Sequence, residues 1–557
     1  MAEDLPEILR ELLEARGLAG ADLERYLSPS LADLASPLDL PGVAEAADIL
    51  LEALAERKEI VVFGDYDCDG VCATAILVQA LKALSAGAAP VGPFIPERLT
   101  EGYGMSEASV SRLLREHPGV ALVVTVDNGI NSVAPVASLK ARGIRVVVTD
   151  HHLPGETLPG ADALVNPKVA APRHLATLCG AGIAFLLAKR LVAEAKRRGL
   201  YGGGNVGGPL LVLAGLATVT DIMPLLGQNR ILVAEALNHF HAWAPLGLRE
   251  LHARAARSAA ERLTSRDFGF LLGPRINAAG RLESGMDALE LILDTDRERA
   301  RERARIIDGR NAERKQIEQR MTDEGMAKVV AGAPAQVIDL PDGHPGVAGI
   351  VAARVLESLG GTVPVCVLAG GRGSARAPEG FNLRDAFVAC DAFLSAYGGH
   401  AAAGGFETRP GCVDGFREAM CAYAAARREA GAAAADADAP EAWIETQDVT
   451  LELAEAVGRM EPFGEANEEP VFGIRGVCFT KAEPMGADGK HLSVTIASSS
   501  RASRGGLRAV WWGHGEMAEE LRKAGSAPHD VVFSLFVSDY KERHAELRLR
   551  RISRSMV

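Results

Sequence analysis

The chain reads as an α/β protein of several domains: a doubly wound parallel-sheet domain, a long connecting helix, a second α/β unit and a small C-terminal β-barrel. Three observations predict this. First, short β-branched runs (Ile60-Val61-Val62-Phe63, Leu122-Val123-Val124-Thr125-Val126, Val146-Val147-Val148-Thr149) alternate with amphipathic or Ala-rich helical stretches. Second, a charged run at helical spacing covers about 287–330, including Asp296-Arg297-Glu298-Arg299-Ala300-Arg301-Glu302-Arg303. Third, short strands recur after residue 445 with one helix among them.

Taken in order, residues 1–58 form an N-terminal helical segment and 59–230 the parallel α/β domain, with one helix expected near 132–142. The glycine-rich run 202–208 reads as a surface loop. Residues 231–330 form a helical connector whose mixed charges predict a solvated face. The second α/β unit, 331–428, opens on the strand Ala335-Gln336-Val337-Ile338 and contains Pro364-Val365-Cys366-Val367-Leu368. An Ala-rich linker occupies 429–444. The barrel, 445–557, holds strands at 491–496, 507–512 and 530–535.

Composition narrows the function. At 557 residues, with 48% hydrophobic and 24% charged residues, the chain is globular and too long for one core. A formal charge of −13 excludes a uniformly basic surface, although a local basic channel can coexist with an acidic exterior. None of the eight cysteines forms a C-x-x-C pair, so a zinc ribbon is not expected and a reducing, cytoplasmic setting is. The N-terminus has no basic and apolar leader pattern, and no stretch approaches 18 consecutive apolar residues, so no membrane span is expected.

The chemistry lies in four acidic or imidazole runs: Asp65-Tyr66-Asp67-Cys68-Asp69, Asp127-Asn128, Asp150-His151-His152 and Asp221. Each follows a strand-like run, the last being Leu216-Ala217-Thr218-Val219-Thr220. Strand alternation would put Asp65, Asp67 and Asp69 on one side, with Gly70 permitting the turn into a helix. A lone D-x-D is usually a turn or cap, and a lone His pair carries no more weight. Four such runs in one crevice beyond the strand ends are sharper. Hard oxygen ligands plus imidazole suit a pair of divalent metals that cleave phosphate esters, with Asp127 the natural bridging carboxylate.

The runs Gly64-Asp65-Tyr66-Asp67-Cys68-Asp69-Gly70, Val126-Asp127-Asn128-Gly129 and Asp150-His151-His152 resemble the DHH phosphoesterase superfamily. Within it the chain is similar to the RecJ-type exonucleases, nearly throughout. The resemblance implies a DHH domain, a DHHA1 domain and a C-terminal OB-fold. It implies two manganese ions, with magnesium as a substitute: Asp67 and Asp127 on one, and Asp69, Asp127, His151 and Asp221 on the other. Asp65 would be a further ligand or support, Asp150 would orient the histidines, and His152 would face substrate phosphate. Many relatives carry His four positions before the second Asp of the first motif. Here that residue is Phe63, so the first metal is expected to have fewer protein ligands.

Further runs carry the resemblance to substrate contacts. They are Arg98 and Tyr103 in one loop, Arg275, Asn277 and Arg281 in Arg275-Ile276-Asn277-Ala278-Ala279-Gly280-Arg281, Ser374 and Arg376, and His400 in a Gly-Gly-His turn. Two arginines can clamp phosphate oxygens in bidentate fashion. Glu461-Pro462-Phe463-Gly464-Glu465-Ala466-Asn467 resembles the entry to the OB domain. Beyond residue 500 eleven Lys or Arg oppose seven Asp or Glu. With Trp511 nearby, this predicts a groove for a single strand. The resemblance implies 5′→3′ hydrolysis of single-stranded DNA to nucleoside 5′-monophosphates in repair and recombination. It implies single-strand DNA-binding protein and a RecQ-type helicase as partners. The alternatives are an oligonucleotide or cyclic-dinucleotide phosphodiesterase, and a non-catalytic DNA-binding scaffold.

Overall fold

A computed structural model describes residues 4–102, 104–203, 206–256, 263–427, 439–486, 488–498, 506–524, 527–539 and 542–555. The first sheet contains β1 (Glu59–Phe63), β2 (Val91–Phe94), β3 (Val120–Thr125), β4 (Arg145–Thr149) and β5 (Ala163–Val165). All pairings are parallel, in the order β2-β1-β3-β4-β5. The β-branched runs form these strands because both faces are covered: Val61 and Val123 pack to one side, Val62 and Val124 to the other. The chain steps from β1 outward to β2, then returns to place β3 on the other side of β1. Ligands gather at such a switch point, beyond the carboxyl ends of the strands.

Helix Cys68–Ser85 follows β1 and packs against helices Gly180–Arg197 and Gly207–Thr220. It is long and apolar enough to cross a membrane, but most of its length is buried in this core. Three expectations need correction here. Strand β1 stops at Phe63, so Asp65, Asp67 and Asp69 do not alternate along a strand. Asp67 is instead the N-cap of the following helix, its Oδ1 accepting from Gly70 N at 3.0 Å, and Asp69 sits in the first turn. Gly70 is needed for close approach, since a Cβ there would lie 2.6 Å from Asp65 Cα. Finally, 216–220 is the end of a helix, and Asp221 is its C-cap. That helix is apolar on every side, so its sequence shows no period that separates helix from strand.

The connector is also divided. Helix Gly285–Leu293 ends before a separate helix, Arg297–Ala327, which Asp296 caps by accepting from Arg299 N at 2.9 Å. The second helix is solvated on one face only. Ala300, Ala304, Ile307, Arg314 and Met321 are buried, and it spans from helix Leu246–Ala255 to helix Ala348–Ser358.

The second sheet orders β6 (Gln336–Leu340), β7 (Val365–Ala369), β8 (Arg372–Arg376), β10 (Ala403–Thr408) and β9 (Leu394–Gly399). Only β6 and β7 are parallel. The third unit contains β11 (Ala442–Trp443), β12 (Phe472–Met485), β13 (His491–Ser498), β14 (Leu507–Trp511), β15 (His529–Ser538) and β16 (His544–Arg554). Pairing of β12 with β15 closes five of these strands into a barrel, with β14 and β16 parallel.

The N-terminal helices are shared between domains. Helices Glu7–Ala15 and Gly20–Leu27 bury Leu9, Leu13 and Leu23 in the core of the barrel, beside Leu453, Phe472 and Phe533. Helix Val43–Ala55 packs on the first domain. Arg230, 2% exposed, joins the two bodies. It donates from Nε to Tyr26 O at 2.8 Å, from Nη1 to Met460 O at 3.0 Å and from Nη2 to Glu461 O at 2.9 Å. Its guanidinium also stacks 3.8 Å from the Tyr26 ring centre.

Replacing this fork removes the Arg230 donor from the carbonyls of Tyr26 and Glu461, while Met460 O keeps Asn467 Nδ2 at 3.1 Å; each buried acceptor left without a donor costs about 1–3 kcal/mol. Arg230→Met is expected to lower stability by about 3 kcal/mol or more. Calorimetry should show the barrel transition separating from that of the first domain; an unchanged single melt would refute the role.

Candidate metal centre

Five carboxylates and an imidazole meet at the switch point. Asp65, Asp67 and Asp127 bring carboxylate oxygens within 4.8 Å of one another, and Asp69, His151 and Asp221 form a second such group. His151 Nε2 lies 3.1 Å from Asp127, 3.6 Å from Asp221 and 3.7 Å from Asp69, so Asp127 adjoins both groups. Local backbone sets each position. Asp69 is held through both oxygens by Gly180 N and Ala181 N, each at 2.7 Å, at the start of helix Gly180–Arg197. Gly180 is required there, because a Cβ would sit 2.5 Å from Asp127 Cβ. Asp127 has φ +63° and the following Gly129 φ +107°, a tight turn that Thr125 ties by donating to Asn128 O at 2.7 Å. Ile222, next to Asp221, also has positive φ, +55°. Sparsely populated backbone of this kind costs on the order of 1–3 kcal/mol and concentrates at functional sites.

Asp150 organises the histidine pair. Its Oδ1 accepts from His151 N at 2.7 Å, His152 N at 3.0 Å and His152 Nδ1 at 2.8 Å, while Oδ2 accepts from Ile130 N at 2.9 Å. Burial alone would raise its pKa, but these donors outweigh it and hold Asp150 below the usual carboxylate range. In return Asp150 overcomes burial and raises His152. His151 behaves oppositely: burial pulls it down to about 4 despite Asp69, so it is neutral at pH 7, as a metal ligand must be.

The donors fit divalent ions. Asp65 has both carboxylate oxygens buried with no hydrogen-bond partner, and Asp221 Oδ2 and His151 Nδ1 are buried likewise. Burial and the neighbouring carboxylates push Asp221 up to about 9, and drive Asp65 and Asp127 well above their ordinary value. Such crowded oxygens are relieved by cations. Phe63 supplies no donor: it is fully buried and stacks on Phe94 with ring centres 5.1 Å apart.

A cationic pocket adjoins the Asp67 side. Arg281 is influenced by Arg98, Arg314 and Arg376 as well as Asp67; burial, then these cations, lowers its pKa. Arg98 stacks 4.9 Å from the Tyr66 ring centre. Arg376 and Ser374, on β8, face Gly349 at the start of helix Ala348–Ser358, where a Cβ would lie 3.0 Å from Arg376 Nη2 and 3.5 Å from Ser374 Oγ. His400 lies in the exposed turn between β9 and β10, and His152 and Lys168 are close enough to lower its pKa after burial.

Other expected contacts are employed elsewhere. Arg275 pairs with Asp308 at 3.0 Å and donates to Leu271 O at 2.8 Å, bracing two helices. Asn277 Oδ1 accepts from Cys68 N at 2.8 Å, so it positions the first acidic loop. Gly280 of the same run lets that helix touch the Tyr66 carbonyl. Trp511 is half-buried and stacked on His514, whereas Trp512 is 52% exposed. Arg508, Arg548 and Arg550 are paired with Glu546 or Glu469, so the basic excess of the barrel is not a bare stripe. Tyr103, Arg501, Arg504 and Lys541 lie outside the described residues, as does part of the 202–208 loop and of the linker.

Sequence reasoning missed Lys168. Asn166 fixes it, accepting from Lys168 N at 2.8 Å and donating to His152 O at 2.9 Å. Desolvation lowers the pKa of the exposed Lys168 against the pull of Asp221 and Asp150, so it lies within electrostatic reach of both acids. The signal was present: Asn166-Pro167-Lys168 follows β5 as the other motifs follow their strands. The Gly180-Ala181 amides had no comparable signal.

Comparison with known proteins agrees with this architecture. Residues 59–202 match the DHH family, N-terminal domain, and 441–551 match the RecJ OB domain. The single-stranded-DNA-specific exonuclease RecJ of Dickeya dadantii is 35% identical over 523 residues, covering 89% of this chain and 88% of that protein. The Thermus thermophilus protein of the same name is 37% identical over 494 residues, covering 88% and 68%. The crystal structure of RecJ with Mn2+ from Thermus thermophilus superposes with a TM-score of 0.83 at 30% identity, covering 100% of this chain and 77% of that one. With identity at this level across nearly the full length of a relative, and both flanking domains matched, the chain belongs to the RecJ family.

Proposed function

We propose that the protein is a metal-dependent 5′→3′ exonuclease specific for single-stranded DNA that releases nucleoside 5′-monophosphates. The observation that carries this is the abutment of two opposite sites: a carboxylate–imidazole cluster, and the arginine pocket of Arg98, Arg281 and Arg376 beside Asp67. The names of the Dickeya and Thermus relatives support the substrate, and the Mn2+ and Mg2+ complexes of the Thermus protein support the ions.

Asp65, Asp67 and Asp127 would hold one ion, and Asp69, Asp127, His151 and Asp221 the other. Two such ions supply Lewis-acid activation of water and neutralise charge on the phosphoryl oxygens. The protein does the rest. Arg281, Arg376 and Ser374, with Arg98 at the edge, grip the terminal 5′-phosphate and set which bond is presented. His152, with Nδ1 committed to Asp150, turns its other nitrogen to the scissile phosphate. Lys168 approaches from the β5 side. Water attacks phosphorus and the bond to the 3′-oxygen breaks. The remaining strand carries a new 5′-phosphate that can refill the pocket, which is why the polarity is 5′→3′. The barrel would guide the strand. Single-strand DNA-binding protein and a RecQ-type helicase belong to this proposal through the family resemblance.

The deciding experiment offers manganese with 5′-phosphorylated single strands, duplex DNA and a cyclic dinucleotide. Release of mononucleotides from the single strand is expected; cleavage of the cyclic dinucleotide alone would overturn the proposal. Asp127→Asn should lower turnover by about a thousandfold or more, because one change weakens both ion sites, while filter binding of single strands persists. Arg281→Met should raise KM for 5′-phosphorylated strands about tenfold and narrow their advantage over 5′-hydroxyl strands.

The crowded acids also predict a pH effect. Asp221 has its folded pKa raised from 3.8 to about 9 without metal, so the folded state binds more protons than the unfolded one between those limits. Its stabilising contribution is complete below 3.8 and is lost as pH rises toward 9. In chelator, Tm should therefore fall between pH 5 and 9 more steeply than in manganese. Metal binding should release protons at pH 7, measurable by titration calorimetry in two buffers. Parallel pH profiles with and without metal would refute this.

A further inference from the structure

Ile222 combines three properties that the proposed reaction does not yet use. It has φ +55°, an unfavourable conformation for a β-branched residue. Its side chain is 69% exposed, although it is apolar. It directly follows Asp221, whose carboxylate lies 3.6 Å from His151 Nε2.

The turn itself does not require isoleucine. Ile222 N donates to Val219 O at 3.2 Å and Met223 N to Thr218 O at 3.1 Å, closing the helix end with backbone groups alone. Glycine or asparagine commonly fills this position. Burial does not compensate either. Within the same loop Leu225 is the residue turned inward, 1% exposed, its N donating to Glu465 O at 2.8 Å at the barrel entry. The chain therefore tolerates backbone strain to hold an apolar side chain in water at the residue next to Asp221. A second exposed apolar side chain, the ring of Phe270, lies on segment Asp267–Leu272, which packs on the same end of helix Gly207–Thr220: Gly269 faces Val219 and Gly273 faces Thr220. Arg266 stacks over Phe270 at 5.3 Å. Apolar and cation–ring surface of this kind suits unpaired bases, whose faces are accessible only in a single strand.

We propose that Ile222 is a substrate-contacting residue that packs against the base of the nucleotide being released, holding its phosphodiester on the Asp221 side of the cluster. This rests on the exonuclease reading. It deepens that reading by making apolar base contact, and not phosphate charge alone, a determinant of turnover.

The test compares wild type, Ile222→Gly, Ile222→Asn and Ile222→Leu on two 5′-phosphorylated single strands: one intact, one with tetrahydrofuran abasic residues at its first three positions. Ile222→Gly and Ile222→Asn should melt no lower than wild type, because both residues accept left-handed backbone. Their kcat/KM on the intact strand should fall about tenfold, the scale of losing one buried isoleucine contact. On the abasic strand they should match wild type, and Ile222→Leu should keep most activity on the intact strand. Equal activity of all variants on the intact strand, or an equal loss on both strands, overturns the inference while leaving the exonuclease reading intact. A wild-type protein that leaves the intact strand uncut overturns both.

Discussion

Mutual repulsion among Asp65, Asp67, Asp69, Asp127 and Asp221 is the constraint around which the rest of the molecule is arranged. Bringing this many acids together in a buried crevice is unfavourable without positive potential around them. The fold supplies part of that potential from its backbone. The helix beginning at Gly180 offers two amides to Asp69, and the amide of Ile130 meets Asp150. These are fixed dipoles that need no side chain and bring no counter-ion to compete with metal. Burial, and then the remaining charge of Asp69 and Asp67, raises Asp221 to about 9, and a cation would relieve both.

The same logic explains the opposite side of the cleft, where arginines from three parts of the chain are as crowded as the acids: Arg98, Arg314 and Arg376 all oppose the charge on half-buried Arg281. An acidic pole and a basic pole thus meet at Tyr66, which Arg98 covers and against which Gly280 and Gly285 press. On the proposed function a phosphodiester strand would satisfy both at once, its terminal phosphate on the arginines and its next phosphate at the carboxylate cluster. Helix Arg297–Ala327 sets the separation of the poles, since it packs on helices of both domains. Its buried Ala300 and Ala304 allow that close packing.

Much of the site was legible because its signals are local. Strands β1, β3 and β4 announce themselves as β-branched runs, and each is followed within a few residues by its acid or histidine. What escaped was non-local or aperiodic. Helix Gly207–Thr220 is apolar on all sides, so its sequence carries no face. The first two helices find their core more than 400 residues away, beside Phe472 and Phe533, and no short window can report that. Asn277 looks like a substrate contact in sequence because it shares a run with Arg281; only the structure shows its oxygen on Cys68 N. The acids after β1 converge through a cap and a helical turn rather than through strand pleating, so the expected convergence holds for a different physical reason.

The two proposed ion positions are chemically unequal, and Phe63 is the reason. The group containing Asp69, His151 and Asp221 includes a neutral imidazole. The group containing Asp65, Asp67 and Asp127 is all carboxylate, and where an imidazole would point in from β1 the chain has a phenyl ring locked against Phe94. Oxygen-only sites favour hard, strongly hydrated ions and leave coordination positions to water or substrate. The position beside Asp67 is also the one that would adjoin the arginine pocket. On this proposal an incoming phosphate completes that position while its end is seated on Arg281 and Arg376. Capture of the weaker ion and recognition of the strand end then become a single event, and the hydrolytic site is fully assembled only when a correctly held terminus is in place.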